Sequence, residues 1–303
     1  MGKVSQRWLT PSILLLFVSS ALLASQRPRV MTAGDLAAFE SPEPDRKIAY
    51  GDDPFQFGEL RIPKGPGPHP IAIVIHGGCW LSEYDVTHIR KLAAALRDAG
   101  LATWTLEYRR VGNPGGGWPG TFQDVAKGSD HLRELAKEYP IDLDRILAIG
   151  HSAGGHLALW LAAREKLSTA EPFQSEQPIV PGAVLGLAPA PDLAYLHEQK
   201  ICDQVIERLL GGSPESQKER YLLASASELV PLGAPQVLVL GRYDESWTPV
   251  GERYYQAAKA AGDDVRVVEA PDSGHFEMID PDSTTWALVL DAARDLVAAL
   301  PRR

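Results

Sequence analysis

The stretch Arg145-Ile-Leu-Ala-Ile-Gly150, continued by His151-Ser152-Ala153-Gly154 and then Gly155-His-Leu-Ala-Leu-Trp160, reads as a strand, a sharp turn and a helix in direct succession. The first part is a short apolar run closed by glycine, the pattern of a buried strand. From Ser152 to Glu165 small and apolar residues continue past the last glycine without a proline, which predicts a helix. Glycines at 150 and 154 let Ser152 take a strained turn with its hydroxyl projecting and the Ala153 amide free at the helix N-terminus. Ser152 is therefore a candidate nucleophile. Outward from this point, Ile71–Ile75, Leu101–Glu107, Ala183–Leu187, Gln236–Leu240 and Val265–Glu269 read as further strands. Between them Thr87–Ala99, Thr121–Tyr139, Tyr254–Ala261 and Thr284–Leu300 carry helical patterns, with Thr121 and Asp124 in capping-box spacing. Such alternation implies βαβ units and a mostly parallel sheet with helices on both faces, an α/β fold. Residues 191–232 break the rhythm with two helical pieces, Ile201–Leu210 and Glu215–Ala226, and read as a cap-like insertion after the sixth strand.

Composition narrows the function. The 303 residues carry 30 Lys plus Arg against 39 Asp plus Glu, a net charge of −9, with no cationic run. Phosphate neutralisation needs clustered cations, so a nucleic acid partner is not expected. Lys3 and Arg7 precede an apolar stretch, Ile13 to Ala24, which predicts a secretory signal over residues 1–25. That stretch is shorter than the roughly 20 residues of a membrane span, so no stable membrane anchor is expected. The expectation is export to the periplasm or the exterior; a start at Met31 would instead leave a cytoplasmic protein. Residues 26–51 are polar and proline-punctuated, a lead-in to one domain over 52–303. Oligomeric state has no signal in the sequence.

A second motif, His76-Gly77-Gly78-Cys79-Trp80, follows the strand Ile71–Ile75 directly. With it the chain resembles the α/β-hydrolase superfamily, specifically serine esterases with a His-Gly-Gly loop, over roughly residues 55–300. His151 before the serine, and the phrase Glu107-Tyr-Arg-Arg-Val-Gly-Asn-Pro-Gly-Gly-Gly-Trp-Pro-Gly-Thr121, are similar to the branch of bifunctional feruloyl/acetyl-xylan esterase-like and arylformamidase-like hydrolases. The resemblance implies an oxyanion hole built from the amides of Gly78, Cys79 and Ala153. Cys79 stands where many relatives have a third glycine, and an amide donor does not depend on its side chain. His76 is expected to hold the shape of this loop.

A serine hydroxyl needs a base oriented by a third group, and the superfamily order is serine, acid, histidine at successive strand ends. Gln236–Leu240 leads to Asp244, and Val265–Val268 leads to His275, so these two are the candidate acid and base. Glu245 and Asp272 are alternative acids. The resemblance implies an acyl-enzyme mechanism that needs no metal and no cofactor. Trp80, Trp118 and Trp247 fall on loops near the strand ends and are candidate substrate-binding aromatics, able to meet a sugar face or an aryl ring alike. The expected activity is hydrolysis of short-chain, aryl or carbohydrate esters. An arylformamidase-type amide hydrolase and a catalytically inactive binding protein of the same fold are the alternatives. Cys79 and Cys202 are the only cysteines, and both are expected as free thiols, because a bridge would restrict the loop that must admit substrate.

Overall fold

The computed structural model describes residues 1–2, 28–40 and 42–301; the apolar stretch read as a secretory signal lies outside the described residues. Eight strands form one sheet: β1 (Arg46–Ala49), β2 (Phe57–Arg61), β3 (His69–Ile75), β4 (Ala102–Leu106), β5 (Ile141–His151), β6 (Ala183–Leu187), β7 (Gln236–Gly241) and β8 (Val265–Ala270). Their spatial order is β1-β2-β4-β3-β5-β6-β7-β8, antiparallel at β1/β2 and β2/β4 and parallel elsewhere. The chain moves from β3 outward to β4, then returns to lay β5 on β3's other side. The β3/β5 boundary is therefore the topological switch point, where α/β sheets place their sites at the carboxyl ends of strands.

Strands β4, β6 and β7 are buried at every position. Because successive side chains point to opposite faces, continuous burial means that both faces of the sheet are covered. The covering helices are α1 (Arg90–Asp98) on β4, α2 (Gly120–Asp130) and α3 (Leu132–Glu138) before β5, and α4 (Ala153–Ala162) on β3, β5 and β6, continued by α5 (Arg164–Leu167). After β6 come α6 (Leu193–Glu198), α7 (Val205–Leu210) and α8 (Lys218–Ala224), one helix more than the two pieces read in that segment. Then α9 (Thr248–Ala260) packs on β7 and β8, and α10 (Trp286–Ala299) spans β5 to β7.

The sheet begins within the segment read as a lead-in. β1 and β2 carry no apolar alternation, because β2 buries charge: Glu59 and Arg61 are both fully buried and 3.5 Å apart. Arg90 of α1 also reaches Glu59, and the Arg61 guanidinium donates to Pro42 O at 3.0 Å. The capping box expected at Thr121 and Asp124 does not form. Asp124 instead accepts from Arg109 Nε at 2.7 Å and Gln56 Nε2 at 2.7 Å, while the Thr121 hydroxyl donates to Arg109 O at 2.6 Å. The helix starts at Gly120, one residue before Thr121, and a partly buried guanidinium is a stronger partner for a buried carboxylate than one helix-end amide. Among the described residues, no helix is long and apolar enough to cross a membrane.

Candidate active site

β5 ends in the turn that carries Ser152, whose backbone sits at φ 55° and ψ −120°. A non-glycine residue persists there only when its surroundings over-determine it. Ser152 N–H donates to Leu187 O at 2.9 Å, and Ser152 O accepts from His156 N at 3.1 Å and Ala190 N at 3.2 Å. Gly154 lets the turn close: a Cβ there would stand 2.1 Å from Ile75 O, at the end of β3. Gly77 brings the next loop against the serine, since its Cβ would meet His151 O at 2.8 Å and Ser152 Cβ at 3.1 Å. Ala153 is the first residue of α4, so its amide is one of the unpaired N–H groups at the positive end of that helix.

The loop after β3 is held by the residues after β4. His76 Nε2 meets Glu107 Oε1 at 3.3 Å, its ring stacks on Tyr108 with centroids 4.4 Å apart, and the Tyr108 hydroxyl donates to His76 O at 2.9 Å. Glu107 also accepts from Val86 N at 2.9 Å and pairs with Arg110 at 2.5 Å, and Arg110 donates onward to Tyr84 O. Burial alone would raise the Glu107 carboxyl; His76 and Arg110 outweigh it and hold it below the usual range. The Glu107-Tyr-Arg-Arg phrase is thus a scaffold for the His-Gly-Gly loop.

β7 and β8 deliver the remaining pair. His275 Nδ1 lies 2.6 Å from Asp244 Oδ2, and Asp244 Oδ1 accepts from the Trp247 amide at 3.2 Å. With Nδ1 committed to the carboxylate, Nε2 is the nitrogen left to exchange a proton at the cavity. Trp247 stacks on the imidazole, centroids 4.8 Å apart at 23°. Ser152 and His275 line one cavity of 170 Å³ together with Gly78, Cys79, Tyr84, His88 and Trp247. Of the three tryptophans, only Trp247 reaches it. Trp80 turns inward at φ 56°, is fully buried and sets its ring edge-on to His156 at 5.3 Å. Trp118 packs on Phe122 and Phe173 instead.

Three features of the site went unread in the sequence. Ala33, in the segment before the sheet, lines the cavity, and Met31 N–H reaches Glu277, whose other oxygen accepts from Gly274 N at 2.8 Å beside His275. No residue of the 191–232 insertion lines it. His88 is the second feature. His151 Nε2 donates to His275 O at 2.8 Å, which makes His151 Nδ1 an acceptor and His88 Nε2, 2.9 Å away, its donor. Two neutral imidazoles thus hold the backbone of the histidine loop. The third feature corrects an expectation: Cys79 and Cys202 are joined in a disulfide, with Cα atoms 5.8 Å apart. The turn between α6 and α7 folds down beside the loop, and because the insertion stays out of the cavity the bridge leaves the cavity unobstructed.

Burial pushes His88 down to about 3 and His156 to about 4, and it lowers His151 well below the ordinary value with His275 and His88 adding to the effect. All three stay neutral in the folded state while the unfolded chain takes up protons near pH 6.5. Stability is then complete above pH 6.5 and falls as pH drops toward the folded values. The expected loss by pH 5 is up to about 2 kcal/mol per histidine. Urea midpoints at pH 7.5, 6 and 5 measure it; a midpoint that does not move over that range contradicts the burial of neutral imidazoles.

Comparisons with known proteins agree with this architecture. A profile of the BD-FAE family matches residues 60–250, well over half of the chain. A probable isoprenylcysteine alpha-carbonyl methylesterase of Arabidopsis thaliana is 32% identical over 121 residues, covering 40% of this chain and 25% of that protein. Esterase LipC of Mycobacterium tuberculosis is 26% identical over 253 residues, covering 78% of this chain and 60% of that protein. The chain therefore spans between a quarter and three fifths of the length of these curated relatives. Among solved structures, esterase B from Lactobacillus rhamnosis superposes with a TM-score of 0.76 at 21% identity, over 88% of this chain and 90% of that one. A truncated carbohydrate esterase from gut microbiota gives 0.72 at 18% identity, over 83% and 95%. At these identities the structures establish the α/β-hydrolase fold.

Proposed function

This chain belongs to the BD-FAE family, and from that premise we propose that it hydrolyses carboxylic esters through a serine acyl-enzyme. The observation that carries the reading is the Asp244–His275 hydrogen bond of 2.6 Å at the rim of a cavity that also holds Ser152. In this reading Ser152 Oγ attacks the acyl carbonyl while His275 Nε2 takes its proton. Asp244 holds the imidazole tautomer and stabilises the imidazolium. The amides of Gly78, Cys79 and Ala153 receive the oxyanion, usually the largest single contribution to catalysis. Collapse of the tetrahedral intermediate expels the alcohol, which takes the proton back from His275. Water deprotonated by His275 then releases the acid and restores Ser152. The residues supply every proton transfer themselves.

The cavity supports a reading of the substrate class. At 170 Å³ it is below the roughly 300 Å³ at which drug-sized ligand sites begin, so it suits a short acyl group. The alcohol part then extends into polar grooves on either side, one of 750 Å³ with Glu83, Asp203, Gln204 and Arg208, the other of 530 Å³ with Asp85 and Arg90. Hydroxyl-rich alcohols such as sugars match that lining, and one structural neighbour is named a carbohydrate esterase. Formamide hydrolysis and a binding fold without activity are not favoured, since the relatives are esterases and a serine and a histidine paired with a carboxylate line one cavity. Among p-nitrophenyl esters, acetate and butyrate should exceed palmitate in kcat/KM by at least about tenfold, the scale of a few misfit methylenes. Feruloyl esters and N-formylkynurenine complete the panel; preference for palmitate or for the formamide would overturn the substrate reading.

Export through residues 1–25 belongs to the same proposal. The Cys79–Cys202 disulfide supports it, because such bonds persist in oxidising compartments. Sequencing the N-terminus of the protein recovered from periplasm or medium tests it, and a cytosolic chain beginning at Met31 would refute it.

A further inference from the structure

Gly78, Cys79 and Trp80 have φ values of 105°, 48° and 56°, three consecutive residues in the left-handed region. Two of the three carry a side chain, and left-handed backbone is unfavourable for any residue with a Cβ. The loop keeps this shape only if something holds each residue. Gly78 O accepts from Leu81 N at 2.9 Å. Trp80 is held by its fully buried indole and by its carbonyl, which accepts from Val111 N at 2.8 Å. Residue 79 sits between these anchors, partly buried, and its side chain goes to Cys202.

We propose that the Cys79–Cys202 disulfide is a positioning device for the oxyanion hole, fixing the left-handed backbone of residue 79 by tying it to the insertion. The proposal rests on the esterase reading, in which the amide of residue 79 is an oxyanion donor. Three observations carry it. The partner end is anchored, since Cys202 lies between α6 and α7 and α7 is docked by Trp118 N–H on Leu209 O at 2.7 Å with Ile206, Leu209 and Leu210 buried. That end is itself wound left-handed, with Lys200, Cys202 and Asp203 at φ 55°, 61° and 56°, so the bridge joins two specially shaped turns. Lastly, the polar groove of 750 Å³ separates Leu81 and Glu83 of the loop from Asp203, Gln204 and Arg208 of the insertion, and the disulfide is the covalent link across it. A protein with glycine at position 79 would need no such tether, because glycine takes positive φ freely. Here the cross-link does by constraint what a glycine does by permissiveness.

The inference replaces the expectation that the amide donor at residue 79 does not depend on its side chain, and it separates from a purely stabilising role in kinetics. An oxyanion donor acts in the transition state, so its displacement lowers kcat and leaves KM nearly unchanged. Losing one donor outright costs about 10²–10³-fold in kcat, and a donor set loose costs less. The double variant Cys79→Ala/Cys202→Ala should lose about 10- to 100-fold in kcat on p-nitrophenyl acetate, with KM within about threefold of wild type. The variant Cys79→Gly/Cys202→Ala should recover most of that loss. Unchanged kcat in the alanine pair would overturn the proposal. Equal loss in the alanine and glycine pairs would overturn it too, because the disulfide would then only dock the insertion. If either variant fails to fold, the wild-type protein under mild reductant provides the same readout: kcat should fall with KM steady and return on reoxidation, and full activity with two titratable thiols would refute the idea. Wild-type protein that is neither labelled by a fluorophosphonate nor active on the acetate sinks the esterase reading itself, an outcome distinct from any variant result.

Discussion

Ser152→Ala should lower the kcat of ester turnover by about a millionfold, the cost of removing the nucleophile from a serine–histidine–acid set. The protein should remain folded. Alanine keeps the Cβ that the turn at φ 55° already tolerates, removes one hydroxyl from a residue that is only 3% exposed, and leaves every backbone bond of the turn in place. Labelling by a fluorophosphonate should disappear with the activity, since that reagent reports the same activated oxygen. The amides proposed to receive the oxyanion and the cavity survive the substitution, so a residual rate of about 10³–10⁴-fold over water is expected rather than none. Labelling that persists in the folded variant would place the nucleophile elsewhere and dissolve the role assigned to the whole strand-end cluster.

The parts of the molecule legible in the sequence are those governed by neighbours along the chain. Ile71–Ile75, Ala183–Leu187 and Gln236–Leu240 read as buried strands because covered parallel strands are apolar on both faces, and the structure places them within β3, β6 and β7. The turn at Ser152 was readable from its flanking glycines, and the order of residues along the chain pointed to Asp244 after β7 and His275 after β8, which the structure brings to 2.6 Å of each other. β2 was not readable, because the buried ion pair of Glu59 and Arg61, with Arg90 donating to Glu59, puts charge where a hydrophobic pattern would stand. His88 meets His151 across 63 positions and Cys79 meets Cys202 across 123, distances at which no local periodicity carries information. Ala33 was hidden by the polar, proline-rich surroundings that made its segment look like a linker. Trp80 shows the limit from the other side. Its place beside the glycine loop was right, but a left-handed backbone turns the indole into the core rather than toward substrate.

His275→Ala should cost about as much as losing the serine, near a millionfold in kcat, because base and nucleophile act as one unit. Asp244→Asn should fall by about 10⁴-fold, and the reason is visible in how the carboxylate is held. Asp244 Oδ1 accepts the Trp247 amide at 3.2 Å, while Oδ2 faces His275 Nδ1 at 2.6 Å. In asparagine the carbonyl oxygen keeps the Trp247 amide, the only one of the two sites that needs an acceptor regardless of tautomer. The NH₂ group is then left pointing at Nδ1. A donor there forces the imidazole proton onto Nε2, the nitrogen that must accept the serine proton, so geometry is preserved and the tautomer is wrong. Stability should barely change, which separates this loss from unfolding. Glu245→Gln serves as the comparison, since Glu245 is the neighbouring carboxylate that the sequence left open as an acid. If Glu245→Gln were the crippling change and Asp244→Asn the mild one, the hydrogen bond to Nδ1 would not be the one that catalysis uses.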